Sequence, residues 1–393
     1  MEKSYKSTKS ACYIGYIVQS IVNNFLPILF IVFQKKYGLG YEKLGRIILV
    51  NFLIQILSDT ITPIIVRAIG YRGCAILCHG LCATGLVMLS VLPTVIGDTY
   101  VAILLSVIIY AFGSGIIEVI ISPMIELIPT KNKAANMAFL HSFYCWGQAF
   151  TVVCTTLLVS VFGFLNWNFI PLIWATVPFI NMFFFIKVPV IEPKKETEKI
   201  KNNKFFISRE FICFVVFMLC AGTSEVTMAQ WTSMFVQQGL GINKVTGDIL
   251  GPCLFAIAMG IGRVFFGVLS GKFSYRKALV LNNILCFLCY IVVAFCKSPI
   301  PCLAACALCG FSVSLSWPGT YSLASARFPN GGTVMFSAFA LFGDLGCSLG
   351  PWLLGLIADM YDLQTGFFVC SVFPLVMVIT ALFVLKEKDC KVN

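Results

Sequence analysis

The sequence predicts an all-α membrane protein of twelve transmembrane helices, arranged as two pseudo-symmetric bundles of six. Three observations predict it. Hydrophobic residues make up 59% of the chain and charged residues only 11%, where a soluble domain carries about 25% charged residues. Mean hydropathy is +0.92, so the chain suits a solvent of lipid rather than water. Apolar runs near the ~20 residues that a membrane crossing needs recur twelve times. Finally, the longest charged stretch without such a run, 188–209, divides them six and six, giving an N-terminal bundle over 1–187, a cytoplasmic linker over 188–209 and a C-terminal bundle over 210–393.

The first span (11–33) follows the basic start Lys3, Lys6 and Lys9. It is long enough to cross, unlike the short apolar core of a cleavable signal. One of its faces carries Tyr16, Gln19, Asn23 and Asn24. Asparagines in lipid must find partners on other helices or on a solute. The second span (44–66) bears Asn51, Gln55, Ser58, Asp59 and Thr62; Asp59, toward the cytoplasmic side, is expected to brace a gate. After the turn Gly70-Tyr71-Arg72, the third span (73–92) contains Cys74, Cys78, His79 and Cys82. That spacing resembles a metal site, but zinc sites usually draw a second ligand pair from another segment. No metal is expected there, and His79 is read as structural.

The fourth span (99–128) holds the sharpest candidate. Tyr110, Ser114, Glu118 and Ser122 recur every four residues and so line one face of a helix. Gly113 and Gly115 beside them allow close helix approach. An ionised side chain at the bilayer centre costs about 2.5–3.5 kcal/mol even on the lenient insertion scale, so Glu118 needs a reason to be there. It is either a proton carrier or a protonated acid that joins two helices by a hydrogen bond. The fifth span (136–160) repeats the pattern with His141, Tyr144, Gln148, Thr151 and Thr155. For His141 a proton-coupling and a structural role stay equally open. The sixth span (168–187) closes the first half.

In the second half, the seventh span (210–234) carries Gly222, Glu225, Gln230 and Trp231. The eighth (248–270) carries Arg263, for which a structural ion pair near the cytoplasmic end is the favoured role. Ser274-Tyr275-Arg276 then echoes Gly70-Tyr71-Arg72. Matching basic turns at corresponding places suggest two related halves. The ninth span is 278–296. Trp317-Pro318 should bend the tenth (302–325), and Ser337, Asp344 and Ser348 share a face of the eleventh (333–358). The twelfth is 366–385. The expected proton-coupling residues are therefore Glu118, Glu225, Asp344 and His141. Gln19, Asn23, Asn24, Tyr110, Glu118, Tyr144, Gln148, Gln230, Trp231 and Trp317 are expected to line a solute site, and Asp59, Arg72, Arg263 and Arg276 to gate it. Trp146 is a further candidate wall residue, and each of the tryptophans could equally be plain core.

The net charge of +11 does not point to nucleic acid, because the basic residues sit in the gaps between apolar runs rather than in a stripe among exposed aromatics. With both termini cytoplasmic, 22 of the 28 Lys and Arg fall on the cytoplasmic side; Lys35, Lys36, Lys43, Arg46, Lys244 and Lys297 remain outside. That is the positive-inside pattern. Most of the 18 cysteines lie within apolar runs, where Cys acts as a small hydrophobe. No H-E-x-x-H, nucleophile–base pair or G-K-[ST] phosphate loop is found. The chain is therefore expected to be no enzyme, to need no cofactor, and not to drive pumping with ATP.

The pattern Gly113-x-Gly115-x-x-Glu118-x-x-x-x-Pro123, followed by His141-Ser142-Phe143-x-x-x-Gly147, resembles the fourth and fifth spans of the fucose-permease-like sugar symporters, a group within the major facilitator superfamily. Asn23-Asn24 is similar to the paired Asn of their first span. Gly222-x-x-Glu225, Pro318, and Gly343 to Pro351 with Asp359 are similar to features of their second half. The resemblance covers nearly the whole chain. It implies alternating access between two six-helix bundles, with Glu118 as a proton or sugar-hydroxyl partner. Two departures stand out. Pro27 occupies the place of the acid that fucose permeases carry after the Asn pair. The superfamily loop G-x-x-x-D-R-x-G-R-[KR] is degenerate, with Pro63 at its start, Arg67 at its Asp position and only Gly70 and Arg72 kept.

The resulting expectation is a monomeric secondary transporter in the plasma or inner membrane, coupling protons to uptake of a small polar solute such as a monosaccharide. One charge crossing 100 mV releases about 2.3 kcal/mol, enough for a roughly fifty-fold gradient. Proton-driven efflux of drugs or metabolites is the rival within transport. The glycine-rich G-P-x-x-G-G run of antiporters is replaced here by Gly147-Gln148-Ala149-Phe150, which lowers that reading. A receptor or scaffold without transport would be expected to carry an appended signalling domain.

Overall fold

The computed structural model describes residues 5–129, 133–192, 207–268, 274–328 and 332–384, all helix and short connections. They form two compact units, Met1–Lys195 and Glu196–Asn393. Of the expected linker, 193–206 lie outside the described residues, as do both extreme termini.

The first unit opens with α1 (Lys6–Ile28) and α2 (Phe30–Tyr37), a pair bent by 42°. Pro27 lies inside the last turn of α1. A proline there has no N–H for the i−4 carbonyl and its ring crowds that carbonyl, so the two pieces form one bent span. α3 (Tyr41–Val95) is continuous for 55 residues, roughly 80 Å at 1.5 Å per residue, far more than the ~30 Å hydrocarbon core. Its one non-helical residue is Gly70, with φ 69° and ψ 176°, which splits it into two crossings, 41–69 and 71–95. α4 (Thr99–Leu127), α5 (Lys133–Phe162) and α6 (Phe169–Lys187) complete the unit. Asp98 starts α4 by accepting the N–H of Tyr100 at 2.9 Å and of Val101 at 3.2 Å.

The second unit contains α7 (Arg209–Gln238), a short α8 (Lys244–Asp248) that runs through a π-helical turn at Ile249–Cys253 into α9 (Leu254–Val268), and α10 (Tyr275–Phe295). α11 (Pro299–Val313) and α12 (Ser316–Arg327) are two parts of one span. They break just before Trp317-Pro318, where the sequence leads one to expect a bend. α13 (Gly332–Met360) follows, and α14 (Leu363–Cys370) with α15 (Val372–Val384) makes the last span. Asp362 caps α14, accepting the N–H of Thr365 at 2.7 Å; that backbone hydrogen bond holds its carboxyl below the ordinary range. Ten helices are long and apolar enough to cross a membrane as they stand. The bent α1–α2 pair and the division of α3 at Gly70 bring the described residues to twelve spans.

Helix pairs close where side chains are smallest. A Cβ on Gly113 would lie 2.6 Å from the Cys78 carbonyl oxygen, and one on Gly115 would lie 2.7 Å from Ser58 Cβ. α4 thus packs against both lengths of α3, through two glycines a residue apart. No disulfide joins the described cysteines, and most of them are buried. His79, fully buried, has both ring nitrogens engaged. Nδ1 donates to the Ala75 carbonyl at 2.7 Å, and Nε2 accepts from Asn181 at 2.8 Å. It is a structural histidine, with no lone pair left for a metal.

The turn at Gly70 is a two-way clamp. Glu192 accepts the N–H groups of Tyr71 at 2.6 Å and Arg72 at 3.2 Å, capping the start of the second length of α3. Arg72 in return donates to the carbonyls of Phe185, Ile186 and Val188 at 2.6–2.9 Å, capping the end of α6. Gly70 sits in a region of φ/ψ space open essentially to glycine alone, and a Cβ there would run into the Glu192 carboxylate. Gly70→Ala is therefore expected to destabilise the first unit by about 1–3 kcal/mol, read as a lower thermal midpoint of the purified protein. Glu192→Gln, which keeps one of the two acceptor oxygens, should lower it less.

Candidate functional site

In the first unit the polar residues of four helices form several hydrogen-bonded groups. Glu118, about two thirds of the way along α4 and half-buried, accepts a hydrogen bond from Gln19 Nε2 of α1 at 2.8 Å. One turn toward the C-terminal end of α4, Ser122 shares a hydroxyl–hydroxyl hydrogen bond of 2.8 Å with Tyr16. In the other direction, Asn23 and Gln55 pair amide to amide, with Gln55 Nε2 donating to Asn23 Oδ1 at 3.0 Å and Asn51 Nδ2 to the same oxygen at 3.2 Å. Ser114 Oγ donates to Gln55 Oε1 at 3.1 Å. Asn24 Nδ2 donates to the Tyr144 hydroxyl of α5 at 3.3 Å. The physical cause is the 3.6-residue period: α1, α3 and α4 each turn a polar stripe to the same place, and buried amides seek one another.

Other expected site residues are placed differently. Gln148 is buried on α5, while His141 is exposed and its ring meets Tyr16 edge-on at 5.3 Å. Tyr110 is almost wholly buried two turns from Glu118, packed so that a Cβ on Gly85 would reach its own Cβ at 2.7 Å. Asp59, expected at a gate, has a carboxylate oxygen within 4.8 Å of one on Glu118. Arg72 serves the α6 end described above.

In the second unit, Glu225 and Arg263 pair across α7 and α9 at 3.5 Å, the ion pair expected of Arg263 and made with a residue expected to couple protons. Asp344 is buried on α13. Gln230 is buried on α7, and Trp231 beside it is fully buried with its indole N–H donating to the Pro351 carbonyl at 3.0 Å. That is a core tryptophan within the unit. Trp317 is half-buried and lies over Gly343, and Trp146 on α5 of the first unit is exposed at 43%. Arg276 is half-buried in the first turn of α10, and the side chain of Ser337 lies outside the described residues.

Asp248 and Asn283 are among the buried polar groups that escape the sequence reading. Asp248, with no exposure, is bonded by Ser233 and by Lys244, the latter at 2.8 Å. Its signal was Lys244 four residues before it, hidden because Asp248 stood at the estimated start of a span. Asn283 in α10 is also fully buried, with neither amide atom paired among the described residues; the Asn-Asn pair inside an apolar run was the clue.

The Major Facilitator Superfamily model matches residues 12–351, with a second, overlapping match at 253–392. The chain belongs to the major facilitator superfamily. It is thus a carrier rather than an enzyme, a multi-pass membrane protein that moves small solutes by alternating access. Among curated superfamily relatives, the cis,cis-muconate transport protein of Acinetobacter baylyi is 23% identical over 68% of this chain and 67% of its own. An uncharacterised transporter of the superfamily from Yersinia pestis is 21% identical over 85% and 84%. Among solved structures, a D-xylose–proton symporter superposes with a TM-score of 0.80 at 15% identity, covering 99% of both chains. The Escherichia coli fucose:proton symporter gives 0.66 at 16% identity, over 98% of this chain and all of the other. These likenesses establish the fold.

Proposed function

We propose that this superfamily member is a proton-coupled symporter that takes up a small polar solute, such as a monosaccharide. In this reading it acts as a monomer in the cell membrane with both termini cytoplasmic. The observation that carries the proposal is the hydrogen bond from Gln19 to Glu118 within a field of amides and hydroxyls. Glu118 supplies an acid within the α4 span that can take and give a proton. Asn23, Asn51, Gln55 and Asn24 supply the paired donors and acceptors that a sugar's hydroxyls seek. Glu225 stands beside Arg263, so its contribution to coupling passes through that ion pair.

The muconate relative raises the alternative of an organic acid. The carboxylates on α3 and α4 would repel one, which favours a neutral solute. The test is flux into proteoliposomes from a panel of sugars, amino acids, dicarboxylates and dyes, with and without an inward proton gradient. Gradient-driven accumulation of a sugar is the expected result. Accumulation of dicarboxylates or dyes alone would overturn the sugar assignment, and export under the same gradient would overturn uptake.

A further inference from the structure

Resting on the coupled-transport reading above, we infer that Asp59 and Glu118 form one cation-holding pair in the first unit, Asp59 being a second coupling carboxylate. The two acids come from different helices, α3 and α4, and carry oxygens within 4.8 Å of each other. Gly115 makes the approach possible. A Cβ there would stand 2.9 Å from Asp59 Oδ1, so only a residue without one lets the α3 acid lie down against α4 at the level of Glu118.

A second, independent observation points to an occupant. Gln19 is 4% exposed, and its Nε2 is spent on Glu118. Its Oε1, on the same planar amide and therefore beside the same carboxylate, has no hydrogen-bond partner among the described residues. A buried acceptor without a donor is costly. Here it adjoins two groups that repel each other when both are ionised. Acceptors on three helices thus meet at Glu118: its own carboxylate, that of Asp59 and the amide of Gln19. Hard cations take oxygen ligands at roughly 2.3–2.6 Å, so two oxygens on one ion lie no more than about 5 Å apart, which the pair meets. A proton shared between the carboxylates needs no more room. The chemistry common to both is a small cation held by two carboxylates and an amide oxygen. The ionisable side chains nearby on α1 and α5 are Tyr16, hydrogen-bonded to Ser122, His141 against its ring, and Tyr144, which accepts from Asn24.

The test uses the full chain in proteoliposomes, with the solute found in the flux panel, under an inward proton gradient or an inward Na+ gradient. Solute exchange at equal concentrations is measured alongside. Asp59→Asn is expected to lower accumulation at least tenfold under whichever gradient drives the wild type, with exchange retained as the proof of folding. The gradient that works names the cation. Asp59→Ser, smaller and still polar, gives the same reading if the amide fails to fold. Asp59→Asn or Asp59→Ser accumulating like the wild type, while Glu118→Gln is uncoupled, would overturn the pair and leave the transport reading standing. Wild-type protein that exchanges solute but accumulates it under neither gradient would overturn both.

Discussion

Glu118→Gln is expected to abolish uphill, proton-driven uptake while solute exchange survives. The substitution is nearly isosteric, and its amide oxygen can still accept from Gln19 Nε2, which now bonds Glu118 at 2.8 Å. The network around Asn23, Gln55 and Ser114 should therefore stay in place. What disappears is the ability to take and release a proton. Carriers that exchange solute need only bind it and reorient, whereas carriers that concentrate it must return their coupling ion too. A membrane potential of 100 mV supports a roughly fifty-fold gradient per charge moved. In the variant the ratio of internal to external solute should fall to about one, measured in proteoliposomes of known volume. Unaltered uphill uptake would remove Glu118 from the mechanism and return it to the role of a helix-joining acid.

The fold could be read from the sequence because hydrocarbon imposes a single demand that composition answers directly. Every backbone group must be bonded within its own helix, so each crossing announces itself as an apolar run. The turn at Gly70-Tyr71-Arg72 was legible for a related reason: a glycine followed by a polar pair between two such runs has few other uses. Polar stripes on α1, α3 and α4 were legible too, through their three- and four-residue spacing. What the spacing did not contain was depth. Asp59 reads as a gate residue because it comes late in its span, yet with Gly115 opposite its carboxylate comes within 4.8 Å of that of Glu118. Trp231 could have been wall or core, and only the position of the Pro351 carbonyl decides for core. Asp248 was missed for want of Ser233 and Gln237, which lie on another helix. In each case the missing information is the partner, and partners are set by tertiary packing.

The largest loss of stability is expected at the crossing of α7 and α13. Gly222 of α7, and Gly346 and Gly350 of α13, face the partner helix there. A Cβ built on Gly346 would overlap the Leu219 carbonyl oxygen, and one on Gly222 would overlap that of Gly343. These obstacles are backbone atoms, which cannot rotate aside as a side chain would. Close approach is what joins the pair: Thr223 Oγ1 donates to the Gly346 carbonyl at 3.1 Å, a contact that exists only while the axes stay near. In a bilayer no hydrophobic force pulls helices together, so association depends on such packing and bonding. Overpacking a close-fitted site costs about 1–3 kcal/mol, and more where the backbone must move. Gly346→Ala should therefore lower the thermal midpoint of the purified protein, and Gly346→Val should abolish monodisperse protein on size exclusion. Gly97→Ala serves as the reference, since a Cβ there meets nothing within 4 Å. If Gly346→Val were as stable as that reference, the tight α7–α13 crossing would be wrong.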